Sequence, residues 1–226
     1  LLAFLFLATT LTGFAQKKMS SGFVQYEISD IKSDMAELNM LKGTQMNLFF
    51  TDAKQKVDVA IMGGMMRFQT IIDNQSADNN AVLMDMMGKK IQVAGLNGEG
   101  ANQNPMMNLG AAGEKLNYTV HKKDKKKIAG YKCRKAVASL PQGMALKVYY
   151  TKKIQPKNSY MQQAMGGLDG FPLEFTIDTG SGVAVTFTAK EVAPKVDAST
   201  FAIPAGYEKM SLEQLQEELG GMNFGF

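Results

Sequence analysis

The sequence predicts a mainly β fold: a single curved antiparallel sheet, or half-barrel, with a few short helices closing one side. Three observations predict this class. Apolar and polar residues alternate with period two through most of the chain, as half-buried strands require. These runs are short, regularly spaced and separated by turn residues, which is typical of open or closed antiparallel sheets. Helical spacing is confined to three short stretches.

The chain begins with an apolar, uncharged run, Leu1–Ala15. Gly13 and Ala15 lie three and one positions before Gln16, which is the small-residue pattern of a signal-peptide cleavage site. The run is also shorter than the roughly 18 to 20 apolar residues of a membrane span. We therefore expect residues 1–15 to be a signal peptide and residues 16–226 to form one β-rich domain. The mature chain is expected in the periplasm or outside the cell, without a membrane span.

Alternating runs follow one another along the mature chain, and each is expected to turn one apolar face to the core. Their apolar positions are Val24, Tyr26 and Ile28; Met46, Leu48 and Phe50; Val57, Val59 and Ile61; Phe68, Thr70 and Ile72; Val82, Met84 and Met86; Ile91 and Val93; Leu116, Tyr118 and Val120; Val137 with its neighbours Ala136 and Ala138; Leu146, Val148 and Tyr150; Leu173, Phe175 and Ile177; and Val183, Val185 and Phe187. Asp178–Gly182 predicts a hairpin turn between the last two runs. The Gly- and Asn-rich segment 97–113 predicts a mobile loop.

The three helical stretches are short. The first spans Ile31 to Leu41 and is expected to stop at Gly43. The second spans Ser159 to Met165, before a pair of glycines. The third starts at the capping box formed by Ser211 and Gln214 and is expected to end at Gly220.

The composition of the chain argues against some classes of function. Cys133 is the only cysteine, so the chain forms no internal disulfide and depends on its core for stability. Arg67 and Arg134 are the only arginines, which argues against sequence-specific reading of nucleic acid; we expect no nucleic-acid partner. The formal net charge of +4 is compatible with attraction to anionic headgroups.

The single histidine, His121, precedes a lysine-rich run, residues 122–127. We interpret this run as a charged hairpin tip that resists edge aggregation, with attraction to headgroups or a partner as the alternative. Such a tip could bring His121 near Cys133 as a nucleophile–base or metal-binding pair. No orienting group or oxyanion feature accompanies them, so we favour a surface histidine and a buried thiol. The chain is thus expected to be no enzyme, with no catalytic residue, no resident metal and no cofactor.

Methionine is abundant, with 17 residues in 226. The clusters are Met62, Met65 and Met66; Met84, Met86 and Met87; Met106 and Met107; and Met161 and Met165. Thioethers are soft ligands that favour Cu(I), but Met on alternating strand positions is normally packing, and Met also lines adaptable apolar pockets. We favour core or pocket lining and keep copper binding as an alternative.

Two stretches carry a resemblance to a known family. The first is Ile128–Lys135, followed by a strand ending in Tyr149-Tyr150-Thr151; the second is Gly170–Leu173, a hairpin, and then Phe201–Tyr207. Across most of residues 20–210 the chain resembles an uncharacterised family of secreted bacterial domains, catalogued as a domain of unknown function. That family is similar in architecture to lipoprotein-carrier folds of the LolA/LppX type. The resemblance implies a half-barrel whose concave apolar face holds an acyl chain.

The leading hypothesis is therefore a non-enzymatic, exported binding protein that holds a hydrophobic, lipid-like ligand in the concavity of the sheet. The predicted ligand-binding residues are Met46, Leu48, Phe50, Phe68, Met84, Met86, Tyr118, Phe175 and Phe187. A Met-rich periplasmic copper-binding protein is one alternative. The other is a structural or envelope-interaction domain without a small ligand, expected if the chain's own side chains fill the concavity. No protein partner is predicted.

Overall fold

The computed structural model describes residues 18–86, 88–94 and 115–218. The predicted signal peptide, the predicted mobile loop at 97–113, Met87, Met106 and Met107 lie outside these ranges. Within them the elements are β1 Gly22–Lys32, α1 Ala36–Asn39, β2 Gln45–Phe50, β3 Lys54–Ile61, β4 Met66–Asp73, β5 Ala81–Met86, β6 Lys89–Val93, β7 Tyr118–Ile128, β8 Tyr131–Ser139, β9 Ala145–Thr151, α2 Tyr160–Ala164, β10 Phe171–Asp178, β11 Ala184–Ala193, β12 Glu208–Met210 and α3 Leu212–Glu218.

All the strands belong to one sheet in the order β12-β6-β5-β4-β3-β2-β1-β11-β10-β9-β8-β7. Every neighbouring pair is antiparallel except β12 and β6, which run parallel. The sheet is curved and open, and it does not close into a barrel. The predicted fold class is confirmed.

One face of the sheet carries most of the core, because the strands alternate as the sequence predicts. In β1, Val24 and Tyr26 are fully buried, whereas the intervening Gln25 is half-buried. The register pairs Val24 with Leu48 and Tyr26 with Met46, which places these side chains on the same face. We call this the plugged face, since a segment of the chain lies across its centre.

The plug segment, residues 152–170, connects β9 to β10 and contains α2. Its apolar side chains are buried against the plugged face: Ile154, Tyr160, Met161, Met165 and Leu168. Ser159 begins α2 by accepting a hydrogen bond from the backbone N–H of Gln162 (3.3 Å). The predicted short helix is confirmed, and its buried side identifies it as part of the core.

Hydrogen bonds connect the plug segment to strands on both sides of the sheet's centre. Gln55 of β3 donates from Nε2 to the carbonyl oxygen of Asn158 (2.6 Å) and accepts from the N–H of Tyr160 (2.8 Å). At the other end, the Tyr118 hydroxyl of β7 donates to the carbonyl oxygen of Met165 (2.6 Å). Backbone groups that the short helix leaves unpaired are thus satisfied by the sheet.

The last helix covers a smaller part of the plugged face. Leu215 of α3 is buried in a cluster with Val82, Met84, Ile91 and Val93 of β5 and β6. The predicted capping box is confirmed: Gln214 donates from its N–H to Ser211 Oγ (3.2 Å), and its side chain accepts from the N–H of Ser211 (2.9 Å). The expected stop at Gly220 lies outside the described residues.

The opposite face carries a separate, smaller core. Tyr207 packs there against Ile71 and Leu83. Asp58 is also buried on this face, and Arg67 donates to both of its carboxylate oxygens (2.8 and 2.5 Å). Such a bidentate pair satisfies a carboxylate that burial would otherwise destabilise.

Two local predictions were wrong. Ile31 belongs to β1, where it pairs with Val185, so α1 is reduced to Ala36–Asn39. Pairing with β11 determines the conformation of Ile31, because the helical preference of so short a stretch is weak. The lysine run is not a hairpin tip but the interior of β7. The tip is Ala129-Gly130, whose φ values of 43° and 86° are those of a tight hairpin turn.

Candidate functional site

The structure divides the nine predicted ligand-binding residues into two groups. Five are packed in the core, with at most 5% of their surface exposed: Met46, Leu48, Phe50, Met84 and Phe175. Four are half-buried: Phe68, Met86, Tyr118 and Phe187. Only the second group presents surface to a ligand while the plug segment is in place.

The four half-buried residues lie toward one end of the plugged face, and they belong to strands on both sides of the sheet's centre. On one side Met86 pairs with Met66, which pairs in turn with Ile61. On the other side Phe187 pairs with Phe175, and their rings stack at 4.7 Å between centroids. We call this end the rim. Met66 is half-buried like Met86, and the sequence analysis missed its place in this group because it considered Met66 only as a member of the methionine cluster with Met62 and Met65.

Exposed methionines stand at the connections between neighbouring strands of the same end. Met35 and Met40 flank α1 in the β1–β2 connection, and Met62 and Met65 form the β3–β4 connection. Their exposed fractions are 51%, 65%, 50% and 59%. Flexible thioether chains adapt to apolar partners of irregular shape.

A separate cleft of about 390 Å³ lies beside α2. It is lined by Lys115, Asn158, Ser159, Gln162, Gln163, Gly166 and Gly167. The volume is in the range of small-molecule sites, and although these residues are polar or glycine, most of the wall surface that they expose is carbon. None of the nine predicted ligand-binding residues lines this cleft.

His121 and Cys133 are not brought together. His121 pairs with Lys135, whereas Cys133 pairs with Lys126, and a register shift separates the two positions on β7. Cys133 is 1% exposed, and burial, followed by the nearby Glu174 carboxylate, raises the pKa of its thiol to about 12. At neutral pH this thiol is protonated and a poor nucleophile.

We expect Cys133 to resist modification in the folded protein. At pH 8 a thiol-specific reagent should label the native chain at least about 100-fold more slowly than the chain in denaturant, where the thiol pKa returns to about 8.5. The measurement is the rate of label incorporation by mass spectrometry with and without denaturant. Comparable rates in the two conditions would mean that the thiol is accessible and activated.

Across the part of the chain that the structure describes, no three His, Cys, Asp or Glu side chains group as metal ligands. The copper alternative would depend on thioethers, and Met66 and Met86 are a directly paired example. Met84, by contrast, pairs with Phe68 and Ile91 and is fully buried among apolar groups. The described residues include no helix that is long and apolar enough to cross a membrane.

The chain is similar to a described family and to several solved structures. The family profile "Domain of unknown function (DUF4412)" matches residues 31–207. An uncharacterized conserved protein from Thermus thermophilus is 10% identical, with 85% of this chain and 91% of that chain covered and a TM-score of 0.48. MucB in the Pseudomonas aeruginosa MucA/MucB complex is 10% identical (84% and 56% covered, TM-score 0.33).

A putative outer membrane lipoprotein-sorting protein domain from Vibrio parahaemolyticus is 6% identical, with 83% of this chain and 90% of that chain covered and a TM-score of 0.31. No curated protein matches the chain. At such low identities and TM-scores the solved structures identify neither a ligand nor a partner for it. The matched range 31–207 includes the rim and the plug segment.

Proposed function

The chain belongs to the DUF4412 family of domains of unknown function, and we propose that it is an exported, non-enzymatic binding protein for a hydrophobic, lipid-like ligand. The observation that carries the proposal is the contrast between the centre and one end of the plugged face. The plug segment fills the centre, whereas the rim keeps half-buried Met and Phe side chains, and exposed methionines lie at the adjoining strand connections. The apolar leader Leu1–Ala15 supports the export part of the proposal.

The ligand is proposed to lie along the rim, with Met66, Met86 and Phe187 as its floor and the exposed methionines at its mouth. Each of these side chains has apolar surface that a hydrocarbon chain would remove from water. Completing the burial of one such side chain contributes on the order of 1 kcal/mol. Micromolar binding needs about 8 kcal/mol, so most of the affinity would come from burial of the acyl chain itself, at about 0.8 kcal/mol for each CH₂ group removed from water.

The test is uptake of a fluorescent fatty acid by two matched variants, Phe187→Ser and Phe49→Ser. Both phenylalanines are half-buried, and each stacks on one other ring: Phe187 on Phe175 at 4.7 Å and Phe49 on Phe23 at 4.8 Å. Phe49 lies on the opposite face of the sheet, because it alternates with Leu48. We expect Phe187→Ser to weaken fatty-acid uptake about tenfold, because a partly covered aromatic contact contributes roughly 1.4 kcal/mol to binding. Phe49→Ser should change uptake less than about twofold.

Equal effects of the two substitutions would contradict a ligand site at the rim. If circular dichroism shows that the unaltered protein is folded and it still takes up no fatty acid, the proposal that it binds a lipid-like ligand is contradicted.

The plug segment favours a second candidate function, an envelope-interaction domain that binds no small ligand. Five buried side chains from this segment occupy the centre of the plugged face, where the sequence predicted a ligand. In that case the exposed methionines would contact a protein partner instead. Native mass spectrometry of protein purified from its own host separates the two: a bound lipid supports the first, and an empty protein with no dye uptake supports the second.

A further inference from the structure

The β7–β8 hairpin places like charges directly opposite each other. Lys125 pairs with Arg134, and two residues further along the ladder Lys127 pairs with Lys132. Directly paired residues face the same side of a sheet, and so do residues two apart on one strand. The four side chains, which we call the hairpin cations, therefore form a two-by-two array on one face of the hairpin.

The array has no counter-charge among the described residues, and all four side chains are exposed. The opposite face of the same hairpin differs. There Lys126 bonds to Glu174 (2.6 Å), and Lys135 bonds to Asp124 (3.0 Å). Since like charges directly opposite each other destabilise a ladder, the array weakens the free hairpin. An external anion would remove this repulsion.

We propose that the hairpin cations dock the protein on the phosphate groups of an anionic lipid bilayer. Three of the four are lysines, point charges that attract an anionic lipid surface without the fixed geometry that an arginine fork requires. The array lies on an exposed strand pair, and the cleft described above is lined by other residues, so the geometry fits a surface rather than an enclosed ion.

Two further exposed lysines extend the positive charge at this end of the sheet. Lys132 lies at the start of β8, and antiparallel pairing brings the end of β9, followed by Lys153, to the same end. Met19 pairs there with Ile154, which places Lys18 beside Lys153. An acidic peptide would need only the array, whereas a bilayer would engage these outlying lysines as well.

The test compares two double variants for binding to vesicles of phosphatidylglycerol and phosphatidylcholine. The first is Lys125→Gln with Lys127→Gln. The second, Lys42→Gln with Lys209→Gln, removes the same charge from an exposed lysine at the rim end of the sheet, in the β1–β2 connection, and from one in β12 at the sheet edge opposite β7. Each lysine near an anionic surface changes partitioning about fivefold, so the first variant should lose about 25-fold and the second less than about twofold. Binding of the unaltered protein should fall steeply with salt and be absent on pure phosphatidylcholine.

A second readout is the thermal stability of the free variants. We expect Lys125→Gln with Lys127→Gln to be as stable as the unaltered protein or more stable, because it relieves repulsion. Lower stability with unchanged vesicle binding would overturn the proposal and leave the lysines as protection of a sheet edge. An equal loss in both variants, or binding to polyglutamate but not to anionic vesicles, would overturn it as well.

Docking is independent of the proposed ligand site. The Lys125→Gln, Lys127→Gln variant should take up the fluorescent fatty acid normally, and Phe187→Ser should bind anionic vesicles normally. The fatty-acid assay therefore tests the ligand site alone, and the vesicle assay tests membrane docking alone.

Discussion

Replacing Phe50 by Ala is expected to lower the free energy of unfolding by about 3–5 kcal/mol. Phe50 is fully buried on the plugged face, and its ring centroid lies 5.6 Å from that of Phe171, where β10 leaves the plug segment. Truncation removes apolar contact and leaves a cavity between the sheet and the segment that covers it. Because domains of this kind are stable by about 5–15 kcal/mol, the variant should be near the limit of folding at 37 °C.

Equilibrium denaturation followed by circular dichroism measures this loss, with Phe49→Ala as the matched control. Phe49 is the preceding residue, half-buried on the opposite face, and its loss should be about 1–2 kcal/mol. The comparison also decides the role of Phe50, which the sequence predicted to touch a ligand. A small loss for Phe50→Ala, with weakened fatty-acid uptake, would return Phe50 to the ligand site and contradict its packing role.

Gly170→Ala is expected to cost about 2–4 kcal/mol, from backbone strain and overpacking together. Gly170 ends the plug segment with φ of +155°, and a Cβ there would meet the Tyr150 ring and lie 2.9 Å from the carbonyl oxygen of Thr151. The carbonyl belongs to β9 and cannot move without disturbing its ladder with β10. The measurement is the denaturation midpoint and slope in urea.

Gly182→Ala is the control for Gly170→Ala. Gly182 has φ of +90°, but a Cβ there meets nothing within 4 Å. Its substitution should cost only the strain of a left-handed alanine, about 1–2 kcal/mol. Equal losses at the two positions would mean that backbone conformation, and not the contact with Tyr150, restricts position 170 to glycine.

The strands were predictable because their signal is local. In β1 the alternation of Val24 and Tyr26 with Gln25 reflects a single physical fact, that neighbours on a strand face opposite sides. The β10–β11 hairpin was predictable for the same reason: Gly180 and Gly182 adopt positive φ within a few residues of the strands they connect. The lysine run was misplaced because a row of charges indicates exposure, and an exposed strand is as compatible with it as a turn.

The site was only partly predictable, because periodicity gives the face of a side chain but not what covers that face. Phe50 and Phe187 both occupy inward positions, yet the plug segment buries the first and leaves the second half-exposed. The cover depends on bonds such as that from Gln55 to Asn158, which join distant parts of the chain. One local signal was available: Met161 and Met165 are four residues apart, which places two apolar side chains on the same side of α2.

The order of strands has a consequence for how the chain folds. β2 to β6 form one run of neighbouring antiparallel strands and β7 to β11 another, so each arm can assemble from contacts close in sequence. Within the sheet ladder the arms are joined where β1 pairs with β11, with Phe23 opposite Ala193, and this pairing must close a loop of most of the chain. Non-local pairings of this kind carry the loop-closure entropy and set the folding rate of β proteins. We therefore expect the centre of the sheet to become native after both of its flanks.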